Sequence, residues 1–204
     1  MPGQLLLLAS IICTMLNLSA TLNVFRLLLN PSLCKPHLVV PTFNQIPIPI
    51  RDGIKAVVLD KDNCISHPDS QEVWPEYDAR WKALKEYYPG KALLIVSNSA
   101  GSGDDPGGRE AENLEKATGV TVLKHSTKKP GCWKEILDYF YRNKVISHPS
   151  EVAVVGDRLF TDMLMAGMMN SYGVWLTDGV RPSKNLICRF EKLLSKRMGF
   201  ENHS

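Results

Sequence analysis

Two carboxylates, Asp60 and Asp62, stand at the end of an apolar run in the stretch VVLDKDNC, which covers residues 57–64. The apolar run predicts a buried strand, and a buried strand seldom ends in two like charges separated by one residue. Two carboxylates so close repel each other unless a positive charge lies beside them. The pair therefore indicates a site that holds a compensating cation.

Polar side chains also follow other apolar runs of the sequence. These residues are Ser97 and Asn98 after ALLIV, Lys128 and Lys129 a few residues beyond VTVLK, Asp157 after VAVVG, and Asp162 beyond it. In a parallel sheet, the residues that do the chemistry collect at the carboxyl ends of the strands. We therefore expect one edge of the sheet to gather carboxylates, a hydroxyl group and an ammonium group.

A cluster of carboxylates at one pole of a sheet is electrostatically costly unless a divalent cation is bound. Ligand sets made only of oxygen favour Mg²⁺. We predict that the ligands of this ion are Asp60, Asp62, Asp157 and Asp162, with water able to mediate one of the last two.

Such a site suits the hydrolysis of a phosphate monoester, a dianion that repels an anionic nucleophile unless a metal ion screens its charge. Asp60 would attack phosphorus and form an aspartyl phosphate. Asp62 would protonate the leaving alkoxide and then take a proton from the water that releases phosphate. Ser97, Asn98 and nearby backbone amides would bind the phosphoryl oxygens, and Lys129 would balance their charge.

The elements that must position these residues begin at residue 54. Five apolar runs predict strands buried on both faces: IKAVVLD, ALLIVSN, VTVLK, VAVVGD and GVWLT. Two stretches between them show helical spacing of large apolar residues, namely Tyr77, Trp81, Leu84 and Tyr88, and Trp133, Ile136, Leu137 and Phe140. Alternating strands and helices predict an α/β fold, a Rossmann-like parallel sheet flanked by helices.

Four segments, DKDNC, IVSNSAG, KKPG and VVGDRLFTD, resemble in order and position the four motifs of the haloacid dehalogenase-like phosphatases. The likeness covers about residues 52–180. It implies that Asp60 is the nucleophile, Asp62 the acid and base, and Ser97 a phosphate contact. It further implies that Lys129, with Lys128 as the alternative, balances the phosphate charge, and that Asp157 and Asp162 belong to the Mg²⁺ site.

One departure from that pattern lies in the first motif. Many relatives read DxDGT, whereas this chain has Asn63 and Cys64 after the second aspartate. The loss of the glycine leaves the proposed chemistry intact and leaves the geometry of the loop open.

Longer stretches, LDKDNC, SNSAGSGDDPGG, HSTKKPGC and GDRLFTD, resemble the mitochondrial phosphatidylglycerophosphatase branch of fungi and plants. This resemblance implies removal of the terminal phosphate from phosphatidylglycerophosphate, which gives phosphatidylglycerol for cardiolipin synthesis. It also implies a peripheral location at the matrix side of the mitochondrial inner membrane.

The spacing of the motifs bears on the substrate independently. The intervals from Asp62 to Ser97 and from Ser97 to Lys129 must each hold a helix and a strand, so neither has room for a large cap domain. An open site admits a headgroup that is still attached to a membrane, whereas it excludes water poorly around small free metabolites.

The chain ends differ from the middle in charge. Residues 1–51 carry three basic residues and no acid, and residues 181–204 carry six basic and two acidic residues, within a net charge of +3. We predict a hydrophobic or amphipathic helix and a proline-rich linker in residues 1–50, and the phosphatase domain with a basic amphipathic C-terminal helix in residues 51–204. Polar residues interrupt the N-terminal apolar segment, which argues against a membrane-spanning helix. Contact with a membrane surface, homo-oligomerisation, packing on the chain's own domain and a cleaved import signal remain the alternatives.

Other classes fit the sequence less well. The five cysteines show no CxxC spacing, which argues against a disulfide framework or a zinc site, and none is followed by Arg six positions later, which excludes a cysteine-dependent phosphatase. We expect no nucleic-acid partner. A phosphatase for a soluble monoester and a receiver-like phosphoacceptor switch are the two functional alternatives.

Overall fold

The computed structural model describes residues 31–181, 191–193, 195, 199 and 200. Its strands are β1 (Leu38–Val40), β2 (Ala56–Leu59), β3 (Leu93–Ile95), β4 (Thr121–Val122), β5 (Val152–Gly156) and β6 (Tyr172–Leu176). Its helices are α1 (Asp78–Tyr87), α2 (Arg109–Thr118), α3 (Trp133–Arg142) and α4 (Leu164–Met169), and a π-helical segment, Leu159–Met163, leads into α4.

The six strands form one sheet in the order β1-β6-β5-β2-β3-β4, and every pair of neighbours is parallel. This arrangement confirms the predicted parallel α/β sheet with flanking helices. The register places Leu59, at the end of β2, opposite Ile95 in β3 and Val155 in β5. The carboxyl ends of the three central strands are therefore aligned.

Side chains of the sheet alternate between two apolar layers, as the pleat requires. Val57 and Leu59 of β2 pack on one face with Trp81 and Leu84 of α1, whereas Ala56 and Val58 pack on the other face with the apolar residues of α3. Ile136, Leu137 and Phe140 of α3 are buried at the predicted helical spacing. Both faces of the central strands are covered, so polar side chains can meet only at the strand ends.

The proline-rich segment differs from the extended linker that we expected. Leu38–Val40 forms the edge strand β1 and pairs with β6, and the apolar residues after it are buried in the core: Phe43, Ile46 and Ile50. Prolines flank this short strand at positions 36 and 41, where an edge strand tolerates them. The predicted boundary at residue 50 thus falls within a packed part of the α/β fold.

Both predicted terminal helices lie largely outside the described residues. The N-terminal segment, residues 1–30, is not described, and the C-terminal segment is described only at the positions given above. Leu193, an apolar residue of the predicted C-terminal helix, is 65% exposed. Among the helices that the structure describes, none has the length and apolar character needed to cross a membrane.

Candidate metal centre and active site

Three carboxylates meet at the carboxyl edge of the sheet. Asp60 directly follows β2 and Asp157 directly follows β5, while the π-helical turn after β5 brings Asp162 back to the same edge. One oxygen from each of the three carboxylates lies within 4.8 Å of the others. Asp60 is 8% exposed and Asp162 is 1% exposed. The structure thus brings together three of the four residues that we predicted as metal ligands.

A buried lysine contacts two of these carboxylates. The Lys129 ammonium donates to Asp60 Oδ1, and it also donates to Asp162 Oδ1 at 2.7 Å. Burial lowers the pKa of Lys129, but the carboxylates of Asp162 and Asp60 outweigh that effect and hold the pKa above its usual range. Lys129 therefore supplies part of the compensating positive charge that the sequence led us to expect beside Asp60.

The charge of the cluster is not fully compensated by this lysine. Burial raises the pKa of Asp60, and the carboxylates of Asp162 and Asp157 raise it further while Lys129 opposes the shift. Burial and the neighbouring Asp162 likewise raise the pKa of Asp157. Both shifts mean that burial and mutual repulsion disfavour the ionised carboxylates even with Lys129 beside them, and the oxygen donors are of the kind that Mg²⁺ takes. The residues present therefore fit a divalent cation.

Asp62 occupies a different position from the other predicted ligands. Its Oδ1 accepts a hydrogen bond from the Lys61 ammonium at 2.6 Å, and its side chain is 41% exposed. Among the described residues, the carboxylate cluster contains Asp60, Asp157 and Asp162 without Asp62. Lys61 O accepts hydrogen bonds from the backbone amides of residues 64–66 and so closes a tight turn. This turn places Asp62 on the solvent side. The prediction that its side chain joins the metal group is not supported by this geometry.

The two lysines of KKPG separate clearly. Lys129 lies in the carboxylate cluster, whereas Lys128 forms a surface ion pair with Asp104. Asn98 Oδ1 accepts a hydrogen bond from Lys129 N at 2.8 Å, so Asn98 holds the backbone of the lysine. The geometry thus favours Lys129 over Lys128 as the lysine of the site.

Ser97 is fully buried at the end of the β3 region. Its Oγ lies 3.0 Å from Ser99 Oγ and accepts a hydrogen bond from Ser99 N at 3.2 Å. The ring of His125, which the sequence reading did not single out, lies with its nitrogens 2.8 Å from Ser97 O and 2.9 Å from Thr127 O. His125 thus ties the segment of Ser97 to the segment that leads to Lys129.

Asn63 resolves the departure from the DxDGT pattern. Its φ is 63°, in the left-handed region where glycine is favoured and where asparagine is tolerated better than most other residues. Its Nδ2 donates to Asp157 Oδ2 at 2.9 Å, and its Oδ1 accepts from Arg181 N at 3.0 Å. Asn63 therefore keeps the turn that glycine would allow and adds a bond that orients a carboxylate of the cluster.

We expect two substitutions of Asn63 to separate these roles. Asn63→Gly keeps the backbone conformation and loses the bond to Asp157, which should weaken Mg²⁺ binding by roughly tenfold. Asn63→Ala loses the same bond and adds strain at positive φ, so it should also lose about 1 kcal/mol of folding free energy relative to Asn63→Gly. Calorimetric titration with Mg²⁺ and urea unfolding measure the two effects. Wild-type Mg²⁺ affinity in both variants would show that Asn63 has no part in the metal centre.

Gly156 is a second residue whose importance was hidden in the motif VVGD. A Cβ at this position would lie 2.3 Å from Asp162 Oδ2, because β5 and the π-helical turn approach closely there. Gly156→Ala should therefore displace the Asp162 carboxylate and reduce Mg²⁺ affinity by about tenfold to a hundredfold. Gly103→Ala is the matched control, since a Cβ there has no neighbour within 4 Å. Equal Mg²⁺ titrations for the two variants would contradict this view of Gly156.

The thiol of Cys64, inside the first motif, is not placed to act as a nucleophile. It is fully buried, and its Sγ lies 3.8 Å from Val155 O. Burial raises the pKa of its thiol well above the usual range, and the nearby Asp60 carboxylate adds to the shift. The thiol therefore stays protonated and packs as a small apolar side chain.

The parallel sheet, with buried carboxylates and a lysine at its carboxyl edge, defines an α/β protein with a candidate divalent-metal centre. The family model described as mitochondrial PGP phosphatase matches residues 18–181, and the chain belongs to this family. No solved structure gives a significant match.

Named relatives agree with the family. The chain is 63% identical over 185 residues to the mitochondrial phosphatidylglycerophosphatase GEP4 of Saccharomyces cerevisiae, with 91% of this chain and 100% of that protein covered. It is 36% identical over 189 residues to a protein of Schizosaccharomyces pombe named a probable mitochondrial phosphatidylglycerophosphatase, with 85% and 88% covered. It is 35% identical over 147 residues to the chloroplastic and mitochondrial phosphatidylglycerophosphate phosphatase 1 of Arabidopsis thaliana, with 70% and 40% covered.

Proposed function

We propose that the chain is a Mg²⁺-dependent phosphatase of the haloacid dehalogenase-like type that converts phosphatidylglycerophosphate to phosphatidylglycerol. The observation that carries the proposal is the cluster of Asp60, Asp157 and Asp162 at the carboxyl edge of the sheet, in which Asp60 and Asp162 contact the buried ammonium of Lys129. The names of the relatives support the substrate. When bound by these carboxylates, Mg²⁺ would screen the charge of the phosphate dianion.

In the first step, an Asp60 oxygen attacks phosphorus and forms an aspartyl phosphate as the bond from phosphorus to the glycerol oxygen breaks. Asp62 gives its proton to the departing alkoxide. Asp62 suits this role because it stands two residues beyond Asp60 on the solvent side, where its side chain is 41% exposed. Lys129 stays beside the nucleophile and balances charge on the phosphoryl oxygens.

In the second step, water attacks the phosphorus of the aspartyl phosphate, and the bond to the Asp60 oxygen breaks. Asp62 takes a proton from that water, which restores both carboxyl groups to their starting states and releases inorganic phosphate. Ser97 and the backbone amides near Asn98 are proposed to hold the phosphoryl oxygens during both steps.

The proposed lipid substrate is consistent with an open site. Between Asp62 and Ser97 the described chain forms α1 and β3, and between Ser97 and Lys129 it forms α2 and β4. These elements belong to the sheet and its covering helices, so neither interval supplies a large cap. A headgroup held in a membrane could reach such a site.

The location follows from the same proposal. The fungal relatives are named as mitochondrial proteins, and we propose that this chain acts peripherally at the matrix side of the inner membrane, in cardiolipin synthesis. Residues 1–30 and the basic C-terminal segment are the proposed contacts with lipid or with another copy. Sedimentation with vesicles of phosphatidylglycerol tests this for the full chain and for a chain that starts at residue 31, which keeps β1. Equal vesicle binding by both chains would exclude residues 1–30 as the anchor.

Phosphate release from phosphatidylglycerophosphate vesicles, compared with soluble sugar phosphates, tests the function. We expect repeated turnover of the lipid with Mg²⁺, none with a chelator, and slow hydrolysis of the sugar phosphates. Faster hydrolysis of a sugar phosphate than of the lipid would show that the substrate is a soluble monoester. A single equivalent of stable phosphoaspartate without turnover would support the receiver-like switch instead.

A further inference from the structure

A carboxylate from the C-terminal segment, Glu191, contacts the segment that carries Asp162. Glu191 Oε1 accepts a hydrogen bond from Phe160 N at 3.0 Å, and Glu191 Oε2 accepts one from Arg158 Nε at 2.9 Å. Glu191 is 1% exposed. A carboxylate is seldom buried to this extent unless it is paired, so the two bonds account for its position.

These bonds meet the π-helical turn at its beginning. The first amides of a helix have no partner within the helix, and Phe160 is the second residue of the segment Leu159–Met163. Glu191, which comes from a distant part of the chain, therefore caps the turn that brings Asp162 back to the sheet edge. Its negative charge also lies at the positive end of the turn, where it is favourable.

A short path joins Glu191 to the carboxylate cluster. Arg158 binds Glu191 through its side chain, and its own backbone amide donates to Asp162 Oδ2 at 3.2 Å. On the other side of the loop, Trp175 Nε1 donates to Asp157 O at 3.0 Å. The loop between the two aspartates is thus held by Trp175 at Asp157 and by Glu191 at Arg158 and Phe160.

Sequence position gives no hint of this role. Glu191 lies beyond the four motifs and beyond residue 181, where the match to the family model ends. It also lies 29 residues beyond Asp162 in a segment whose basic residues suggested a membrane contact.

We propose that Glu191 is a positioning residue of the metal centre, which holds segment 158–163 so that Asp162 stays beside Asp60 and Asp157. This inference rests on the proposed function, because it assumes that the three carboxylates bind Mg²⁺. Groups that hold metal ligands in place typically affect metal affinity by 10- to 100-fold. Glu191 acts through the loop and touches neither the substrate nor the reacting atoms.

The test compares full-length variants by calorimetric titration with Mg²⁺ alone, and by the Mg²⁺ concentration that gives half-maximal phosphate release. Glu191→Ala should weaken Mg²⁺ binding by about tenfold to a hundredfold and raise the half-maximal concentration in parallel. Activity at saturating Mg²⁺ should recover most of the wild-type value. Glu191→Gln keeps one acceptor oxygen, so its shift should be smaller, roughly threefold to tenfold.

Lys192→Ala is the matched control for the Mg²⁺ titration alone, because the side chain of the neighbouring Lys192 makes only a surface ion pair with Asp178 among the contacts described for it. Wild-type Mg²⁺ affinity in a folded Glu191→Ala, even with a lower melting temperature, would overturn the proposal. If Glu191→Ala does not fold, Glu191→Gln decides by the same titration: a weakened affinity supports the proposal and an unchanged one overturns it. Absence of Mg²⁺ binding and turnover in the wild type would overturn the proposed function itself.

Discussion

We expect that replacing Asp60 with asparagine abolishes phosphate release and leaves the α/β fold intact. Asparagine has nearly the same shape and still fits beside Lys129, but its amide oxygen is not a nucleophile that can form the covalent intermediate. We expect the turnover rate to fall by about 10⁴-fold or more, the scale seen when a covalent nucleophile is removed. The melting temperature in metal-free buffer should not fall, because Asp157 and Asp162 repel the charge that is lost and Lys129 keeps its contact with Asp162.

The measurement is release of inorganic phosphate at saturating Mg²⁺, with circular dichroism and thermal unfolding to check the fold. Asp62→Asn is the companion variant, since loss of the proposed acid slows the first step but leaves the nucleophile in place. We expect that variant to lose about 10²- to 10⁴-fold in rate. Turnover by Asp60→Asn within tenfold of the wild type would remove Asp60 from the reaction.

Replacing Lys129 with methionine is the change with the largest expected effect on stability. Methionine is similar in length, but it leaves Asp60 and Asp162 without the ammonium that both contact. Removing one partner of a buried ion pair typically costs 3–5 kcal/mol, and we expect about this loss of unfolding free energy in metal-free buffer. Mg²⁺ should restore part of it, because the cation supplies the missing positive charge.

Lys128→Met is the matched control for this experiment. Lys128 is adjacent in sequence and pairs with Asp104 at the surface, so its loss should change the unfolding free energy by no more than about 0.5 kcal/mol. Urea unfolding with and without Mg²⁺ measures both variants, and phosphate release should fall only in Lys129→Met. Equal effects of the two substitutions would contradict the assignment of Lys129 to the site.

The central part of the fold could be predicted because its signals are local. The apolar runs that form β2, β3 and β5 indicated strands that are buried, as expected, whereas VTVLK forms only the two-residue edge strand β4. The helical spacing in α3 appeared again as buried Ile136, Leu137 and Phe140. Position at a strand end then brought Asp60 and Asp157 together. Strand β1 could not be predicted from such local signals. It has only three paired residues, which lie between two prolines, and its partner strand β6 lies far along the chain.

The details of the site depended on contacts that spacing does not contain. Asp62 was expected among the ligands because it lies two residues from Asp60, yet the neighbouring Lys61 and the tight turn place its carboxylate elsewhere. The bond from Asn63 to Asp157 joins residues 94 positions apart, and the bonds of Glu191 span more than 30 positions. Such contacts arise only once the sheet has formed.

Anomalous diffraction from crystals of the full chain soaked in Mn²⁺, a stand-in for Mg²⁺ with the same preference for oxygen ligands, tests the shared metal site most directly. We predict one strong peak bonded to oxygens of Asp60, Asp157 and Asp162, and a weaker peak in Gly156→Ala at a Mn²⁺ concentration that half-saturates the wild type. A peak elsewhere, or none at these three carboxylates at saturating Mn²⁺, would contradict the account.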